Sequence, residues 1–319
     1  PRSTHCISSA ASDVYKRQIK TIPEDWKVIE ELPADHLANI RNFKEGEHLY
    51  VRVEKENFNT LEIVGLLADF FKHQVNSIGY CGRKDKRAVT QQWFSVPTPQ
   101  KINLDGFLAP GVRIIEKGRF KKKLRIGEHA FNRFEILLRE VKAKPSKFLQ
   151  GQHKAFLNFY GPQRYNERSL AAALDWIKYR RRKNISRRVK SWNLSVLRSF
   201  LFNKILEKRR DAGFAGRHLE GDHCIDSIPT APLWGRGRSA SKGKALELER
   251  DALAPFRDLC EALEYAGVHQ GRRKIFEKPY SFGAHYDEER CTVKARFCLS
   301  PGTYATVFLS EYFDLREAS

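Results

Sequence analysis

Alternation of apolar and polar positions marks a series of short strands. In His48–Lys55, Leu49, Val51 and Val53 face one way and Tyr50, Arg52 and Glu54 the other, the period-two pattern of a half-buried strand. Lys27–Leu32, Ser77–Cys81, Ala88–Val96 and Val112–Ile115 are strand-like too, as is Arg133–Val141, where Phe134, Ile136 and Leu138 alternate with Glu135, Leu137 and Arg139. Between them, Asn59 and Glu62 have the spacing of a helix capping box. Behind it, Ile63, Val64, Leu67, Phe70 and Phe71 form a helical apolar stripe. Strands joined this closely favour antiparallel pairing.

The texture changes near Asn158. From there to about His285 the chain reads as helical, with Ser169–Tyr179 and Leu194–Arg210 as amphipathic segments. Strand texture returns at Cys291–Leu299, and Thr303–Phe313 reads as a last helix after Pro301-Gly302. The pattern predicts an α+β domain interrupted by a helix-rich, basic insertion. The expected bounds are 19–157 and 286–319 for the two parts of the sheet domain and 158–285 for the insertion. Residues 1–18 are Ser/Ala-rich without core periodicity, and HCISSAASDVYKRQ resembles translated adapter sequence. They are expected to be a leader outside the fold. There is no methionine in the chain, so the true start is expected to be missing.

Charge adds a partner. Lys and Arg total 58 against 38 Asp and Glu, a formal net charge of +20. Residues 161–285 hold 26 of those cations and 14 of the acids. Such an excess points to a polyanion, foremost nucleic acid. No apolar run is long enough for a membrane span, so a membrane protein is excluded. The six cysteines show no CxxC pair and read as reduced thiols of a cytoplasmic protein.

The candidate chemistry centres on Gly82-Arg83-Lys84-Asp85-Lys86-Arg87. One carboxylate among four cations is held ionised, which suits a nucleophile beside a phosphodiester; these six residues alone read more readily as a solvated charged turn. Two basic runs, Lys117–Arg125 and Arg180–Lys190, offer phosphate contacts through Arg181, Arg182, Arg187 and Arg188. His218, His223 and Cys224 lack a matching ligand pair, so no metal is expected. Gly235–Ala245 misses the phosphate-loop spacing, and no GxSxG elbow is present.

The ordered set of segments resembles the tRNA pseudouridine synthase D family. Gly79-Tyr-Cys-Gly82-Arg-Lys84-Asp85-Lys-Arg-Ala88-Val-Thr-Gln-Gln92-Trp93 is similar to its signature around a nucleophilic aspartate. Thr21–Trp26, Gly46–His48, Lys123–Gly127, Asn132–Phe134, Asn158–Tyr165, Lys190–Asn203, Pro232–Gly235 and Pro301–Thr306 follow in the family's order. The resemblance implies an α+β fold in which a pseudouridine-synthase catalytic domain is built on a mixed, largely antiparallel sheet, with the family's inserted domain and a cleft between them. It further implies isomerisation of uridine 13 in transfer RNA, with no cofactor and no metal, by a protein expected to be monomeric. It makes Asp85 the nucleophile and puts Trp26, Asn132, Phe134 and Tyr304 at the target uridine. A Phe is the more usual occupant at Trp26 and Tyr304; both changes keep an aromatic face. Whether Asp85 attacks C1′ or assists a glycal intermediate stays open on the residues. The alternative reading is a non-catalytic RNA-binding or RNA-chaperone protein on a synthase scaffold.

Overall fold

The computed structural model describes residues 16–42, 45–98, 103–107, 109–179 and 185–317. In chain order the strands are β1 (Lys16–Ile19), β2 (Trp26–Glu31), β3 (His48–Glu56), β4 (Gly79–Tyr80), β5 (Val89–Pro97), β6 (Val112–Phe120), β7 (Phe131–Leu138), β8 (Phe156–Leu157), β9 (Cys224–Ile225), β10 (Ile228–Leu233), β11 (Gly271–Lys274), β12 (Phe276–Glu277), β13 (Tyr280–Asp287), β14 (Thr292–Leu299) and β15 (Asp314–Glu317). The helices are α1 (Ala34–Asn42), α2 (Thr60–Phe71), α3 (Ser146–Leu149), α4 (Glu167–Lys178), α5 (Arg187–Asp211), α6 (Gly243–Leu253), α7 (Arg257–Tyr265) and α8 (Ala305–Ser310). None is long and apolar enough to cross a membrane among the described residues.

Two compact units emerge. The first runs to His153 and adds Pro279–Gly302 and the segment from Tyr312; the second is Lys154–Lys278 with Thr303–Glu311. These bounds differ from the expected 158–285 insertion, and Thr303–Glu311, which carries Tyr304, groups with the second unit.

A mixed α+β architecture fills the first unit. Its sheet has the order β13-β14-β7-β2-β5-β3-β6, with β4 beside β5. Only the β2–β5 pair is parallel. One face collects Leu49, Val51, Val53, Phe94 and Val96, over which α2 lays Ile63, Val64 and Leu67. The other face packs Tyr50 and Trp93 with Ile40 of α1. Asn59 caps α2 as its sequence predicts: its side chain accepts from Leu61 N and Glu62 N, and Glu62 accepts from Asn59 N. The stretch set aside as a leader ends earlier than expected. Lys16–Ile19 pairs in parallel with Asp314–Glu317, and Gln18 exchanges backbone hydrogen bonds with Arg139. A four-residue strand whose partner lies at the far end of the sequence leaves no local period to read.

The second unit packs α4 on α5 around Trp176, Leu197, Leu201, Phe202 and Leu263. It is not purely helical: β11-β10-β9 form a small sheet, and β12 pairs with β8. Pro229 and Pro232 inside β10 and the polar Gly271–Lys274 of β11 hide those strands from period-two patterning. Helix α5 begins seven residues before the predicted Leu194, under a cap in which Ser186 Oγ accepts from Val189 N.

Candidate active site

The segment joining β4 to β5 carries Asp85, and nearly every residue along it is tethered. Gly82 O accepts from Gln92 Nε2 of β5, and Lys84 N donates to Thr60 Oγ1 at the start of α2. Thr60 Oγ1 itself donates to Gln92 Oε1 at 3.0 Å. Asp85 O accepts from Lys55 Nζ of β3 at 3.4 Å, while Lys86 Nζ reaches Glu62 at 3.0 Å. Arg87 donates to Thr21 O. Such a string of anchors fixes a loop that its own composition would leave free.

The four cations around Asp85 divide their work. Lys84 turns inward: its Nζ lies 2.7 Å from Glu30 Oε2 and donates to Asn132 Oδ1 at 2.7 Å. Glu30 is fully buried, so this pair is an internal one. The ion partner of Asp85 is Lys20, 65 residues earlier, whose Nζ sits 2.9 Å from Oδ2. The Lys20 side chain is 5% exposed and that of Asp85 is 41% exposed, leaving the carboxylate open to an incoming molecule.

Lys20 is aimed by its own surroundings. Its backbone is left-handed, φ 54°, a conformation uncommon for a residue with a side chain. The chain turns out of β1 there and is pinned again at Asp25, whose carboxylate takes a two-pronged contact from Arg139 at 2.7 and 2.8 Å. The Lys20 ammonium also lies 5.0 Å from the Trp26 ring centroid, a cation–π contact.

Asn132 and Phe134 share the buried face of β7, whose exposure alternates residue by residue. In register, Asn132 pairs with Glu30 and Phe134 with Val28 of β2. An ammonium can only donate, so Lys84 fixes Asn132 Oδ1 toward itself and leaves Nδ2 facing His129 Nε2 at 3.3 Å. His129 therefore accepts at Nε2 and carries its proton on Nδ1. Burial first, and the Lys84 charge second, push His129 down to about 3. Lys55, wholly buried, is pushed down to about 8 by burial, against the pull of Asp85.

The predicted residues thus separate. Asp85, Asn132, Trp26 and Phe134 belong to the first unit. Trp26 is 3% exposed beneath Lys20, so its ring offers a ligand little more than an edge. Phe134 stacks on Phe297 of the neighbouring strand, with centroids 5.4 Å apart and planes at 22°, which gives it a core role. Tyr304 precedes α8 in the second unit, 6.0 Å from the Tyr160 ring. Arg187 and Arg188 form the exposed first turn of α5; Arg181 and Arg182 lie outside the described residues. Lys20, Glu30, Lys55, Gln92 and His129 were not singled out by the sequence. The signal was present for Glu30, an acid in a strand flanked by apolar positions. Among the described residues no group of three or more His, Cys, Asp or Glu is placed to hold a metal ion.

Two predictions follow from this arrangement of charges. Lys84→Met leaves Glu30 ionised and unpaired in the interior and should cost about 3–5 kcal/mol in chemical denaturation. Adding Glu30→Gln should recover most of that loss, whereas an unshielded surface pair would show neither effect. His129 is held neutral in the fold, while an unfolded histidine protonates near its ordinary 6.5. As pH falls below that value the unfolded chain takes up the proton first, and stability drops until the folded ring also titrates. Between pH 7 and pH 5 the wild type should lose about 2 kcal/mol more than His129→Gln, read from unfolding at both pH values. Equal losses would contradict the buried, neutral ring.

Known proteins resemble this chain in sequence and in fold. The family model described as tRNA pseudouridine synthase D (TruD) matches residues 9–174. A tRNA pseudouridine synthase D of Aeromonas hydrophila is 34% identical over 307 residues, spanning 86% of each chain. One of Cellvibrio japonicus is 32% identical over 314 residues, covering 93% of this chain and 89% of the relative. A crystal structure from Methanosarcina mazei bearing the name tRNA pseudouridine synthase D (TruD) superimposes with a TM-score of 0.66 over 96% of both chains, at 19% identity. The fold, the signature around Asp85 and the extent of these matches agree: the chain belongs to the tRNA pseudouridine synthase D (TruD) family.

Proposed function

We propose that this protein isomerises uridine to pseudouridine in transfer RNA, at position 13, with Asp85 as the catalytic carboxylate acting on a flipped-out base. The observation that carries this reading is the half-exposed Asp85 carboxylate, 2.9 Å from a buried ammonium, at the end of a loop tied down on both sides. A carboxylate kept merely for solubility has no need of such support. The reaction breaks the C1′–N1 bond, turns the uracil and joins its C5 to C1′. It needs no oxidant and no energy source. It needs an anion beside C1′, an aromatic or apolar lining, and a means of holding RNA while one base is unstacked, at a cost of a few kcal/mol.

Lys20 serves the first need by holding the Asp85 carboxylate in place at 2.9 Å. Phe134 and Trp26 supply apolar lining, and Asn132 closes the polar edge, its amide already oriented by Lys84 and His129. For RNA affinity, Arg187 and Arg188 stand in the first turn of α5, which contains no acidic residue. Cations there oppose the helix dipole, an unfavourable placement that phosphate contact would offset.

The test compares wild type and Asp85→Asn on an unmodified transfer RNA transcript, with pseudouridine mapped along the product. Asn keeps the shape and removes the charge, so turnover should fall by at least three orders of magnitude while RNA binding persists. Activity within tenfold of wild type would end the assignment. RNA binding by a wild type that forms no pseudouridine would favour the non-catalytic reading instead.

A further inference from the structure

The second unit carries a cluster that the isomerisation chemistry does not use. Arg164 lies between β8 and α4, and its Nε donates to the Ser199 hydroxyl on α5 at 3.2 Å. Its guanidinium carbon is 5.7 Å from the Tyr160 ring centroid and 5.2 Å from that of Trp192. Its two terminal nitrogens donate to nothing, and no carboxylate pairs with it, among the described residues. Arg273 of β11 approaches the same Tyr160 ring at 4.2 Å. Asn158 accepts from Arg273 through its main-chain oxygen and, at 2.6 Å, through Oδ1. The Asn158 amide is itself oriented by donation to Lys274 O.

Two guanidiniums are thereby gathered at one aromatic ring. Burial holds Arg273 below its usual value, and the Arg164 charge pushes the same way, while the Tyr160 and Tyr304 phenols act against it. Folding alone gains little from placing like charges together with a neutral hydroxyl as Arg164's side-chain partner. An anion at that point would be favourable. The open prongs of a guanidinium match two oxygens of a phosphate better than any ammonium does.

We propose that Arg164, supported by Arg273, is a phosphodiester-binding site of the second unit, separate from the basic turn at Arg187 and Arg188. The half-buried rings of Tyr160 and Trp192 beside it suit the nucleoside that RNA brings with its phosphate and that free phosphate lacks. The proposal rests on the reading of this chain as an enzyme acting on RNA.

The experiment uses the full chain and an unmodified transfer RNA transcript, measuring affinity across a potassium chloride series and initial rates in parallel. Arg164→Gln removes the charge and the fork but keeps an amide donor at about the position from which Arg164 Nε reaches Ser199. It should weaken binding about tenfold and flatten the log–log salt slope by about 0.7 to 0.9, the signature of one lost phosphate. The fall in kcat/KM should lie mostly in KM. Arg164→Lys should recover the salt slope but not the full affinity, because it restores the charge without the fork. An unchanged slope in the Gln variant, or full affinity in the Lys variant, would overturn the site. If the Gln variant unfolds early, the Lys variant decides by the same criterion. Wild type that binds transfer RNA without forming pseudouridine defeats the proposed activity, and the slope comparison still rules on Arg164. Pseudouridine formation with an unchanged slope defeats this site alone. Wild type with no affinity for the transcript defeats both.

Discussion

The structure around Asp85 depends on how four opposite charges are paired. Glu30 is fully buried and must be neutralised in place. Lys84, the residue immediately before Asp85, does this at 2.7 Å. Its ammonium is thus committed to the interior, and the carboxylate next to it in sequence is turned to the other side of the loop. There Lys20 meets it at 2.9 Å. Had Lys84 paired with Asp85 instead, Glu30 would be left as an unpaired interior charge, an outcome costing several kcal/mol. The buried pair therefore sets the direction in which the Asp85 carboxylate points.

The sheet makes that pairing possible. Glu30 and Asn132 stand opposite each other on β2 and β7, so one ammonium can reach both. Gln92, the residue after the parallel β2–β5 stretch, holds the Gly82 carbonyl, and Thr60 at the capped start of α2 holds Lys84 N. Strand register and helix capping, both local consequences of sequence, are converted here into the position of a side chain. Arg139 does the same on the other flank, binding the Asp25 carboxylate and the backbone of Gln18 so that the left-handed Lys20 between them has a defined direction.

Much of this was legible in advance. The period-two alternation of His48–Lys55 and Arg133–Val141 and the Asn59–Glu62 box locate β3, β7 and α2 to within a few residues, because each signal is local. The run of six residues around Asp85 reads by itself as a solvated turn, and it was the family resemblance that singled it out. What composition suggested wrongly was the source of the counter-charge: it gave Asp85 its four sequence neighbours, whereas the ion pair is made with Lys20, 65 residues earlier. Glu30 and His129, and the inward pairing of Lys84, escaped notice for a related reason. A buried ion pair looks on paper like two surface charges, and only long-range register shows that they meet. The small strands of the second unit were hidden by proline and by the all-polar Gly271–Lys274, and Phe134 proves to be a stacked core residue as well as a neighbour of Asn132.

The central proposal is that Asp85 serves to remake a glycosidic bond at carbon. Isomerisation exchanges the C5–H bond of uracil for a C5–C1′ bond, so every turnover sends the C5 hydrogen to water. A transfer RNA transcript tritiated at C5 of its uridines reports this directly, with the protein added in the presence of chelator and no nucleotide. The account predicts tritium release that is stoichiometric with the transfer RNA for the wild type and absent for Asp85→Asn at equal RNA occupancy. Tritium retained by the wild type, or released equally by both proteins, would contradict it.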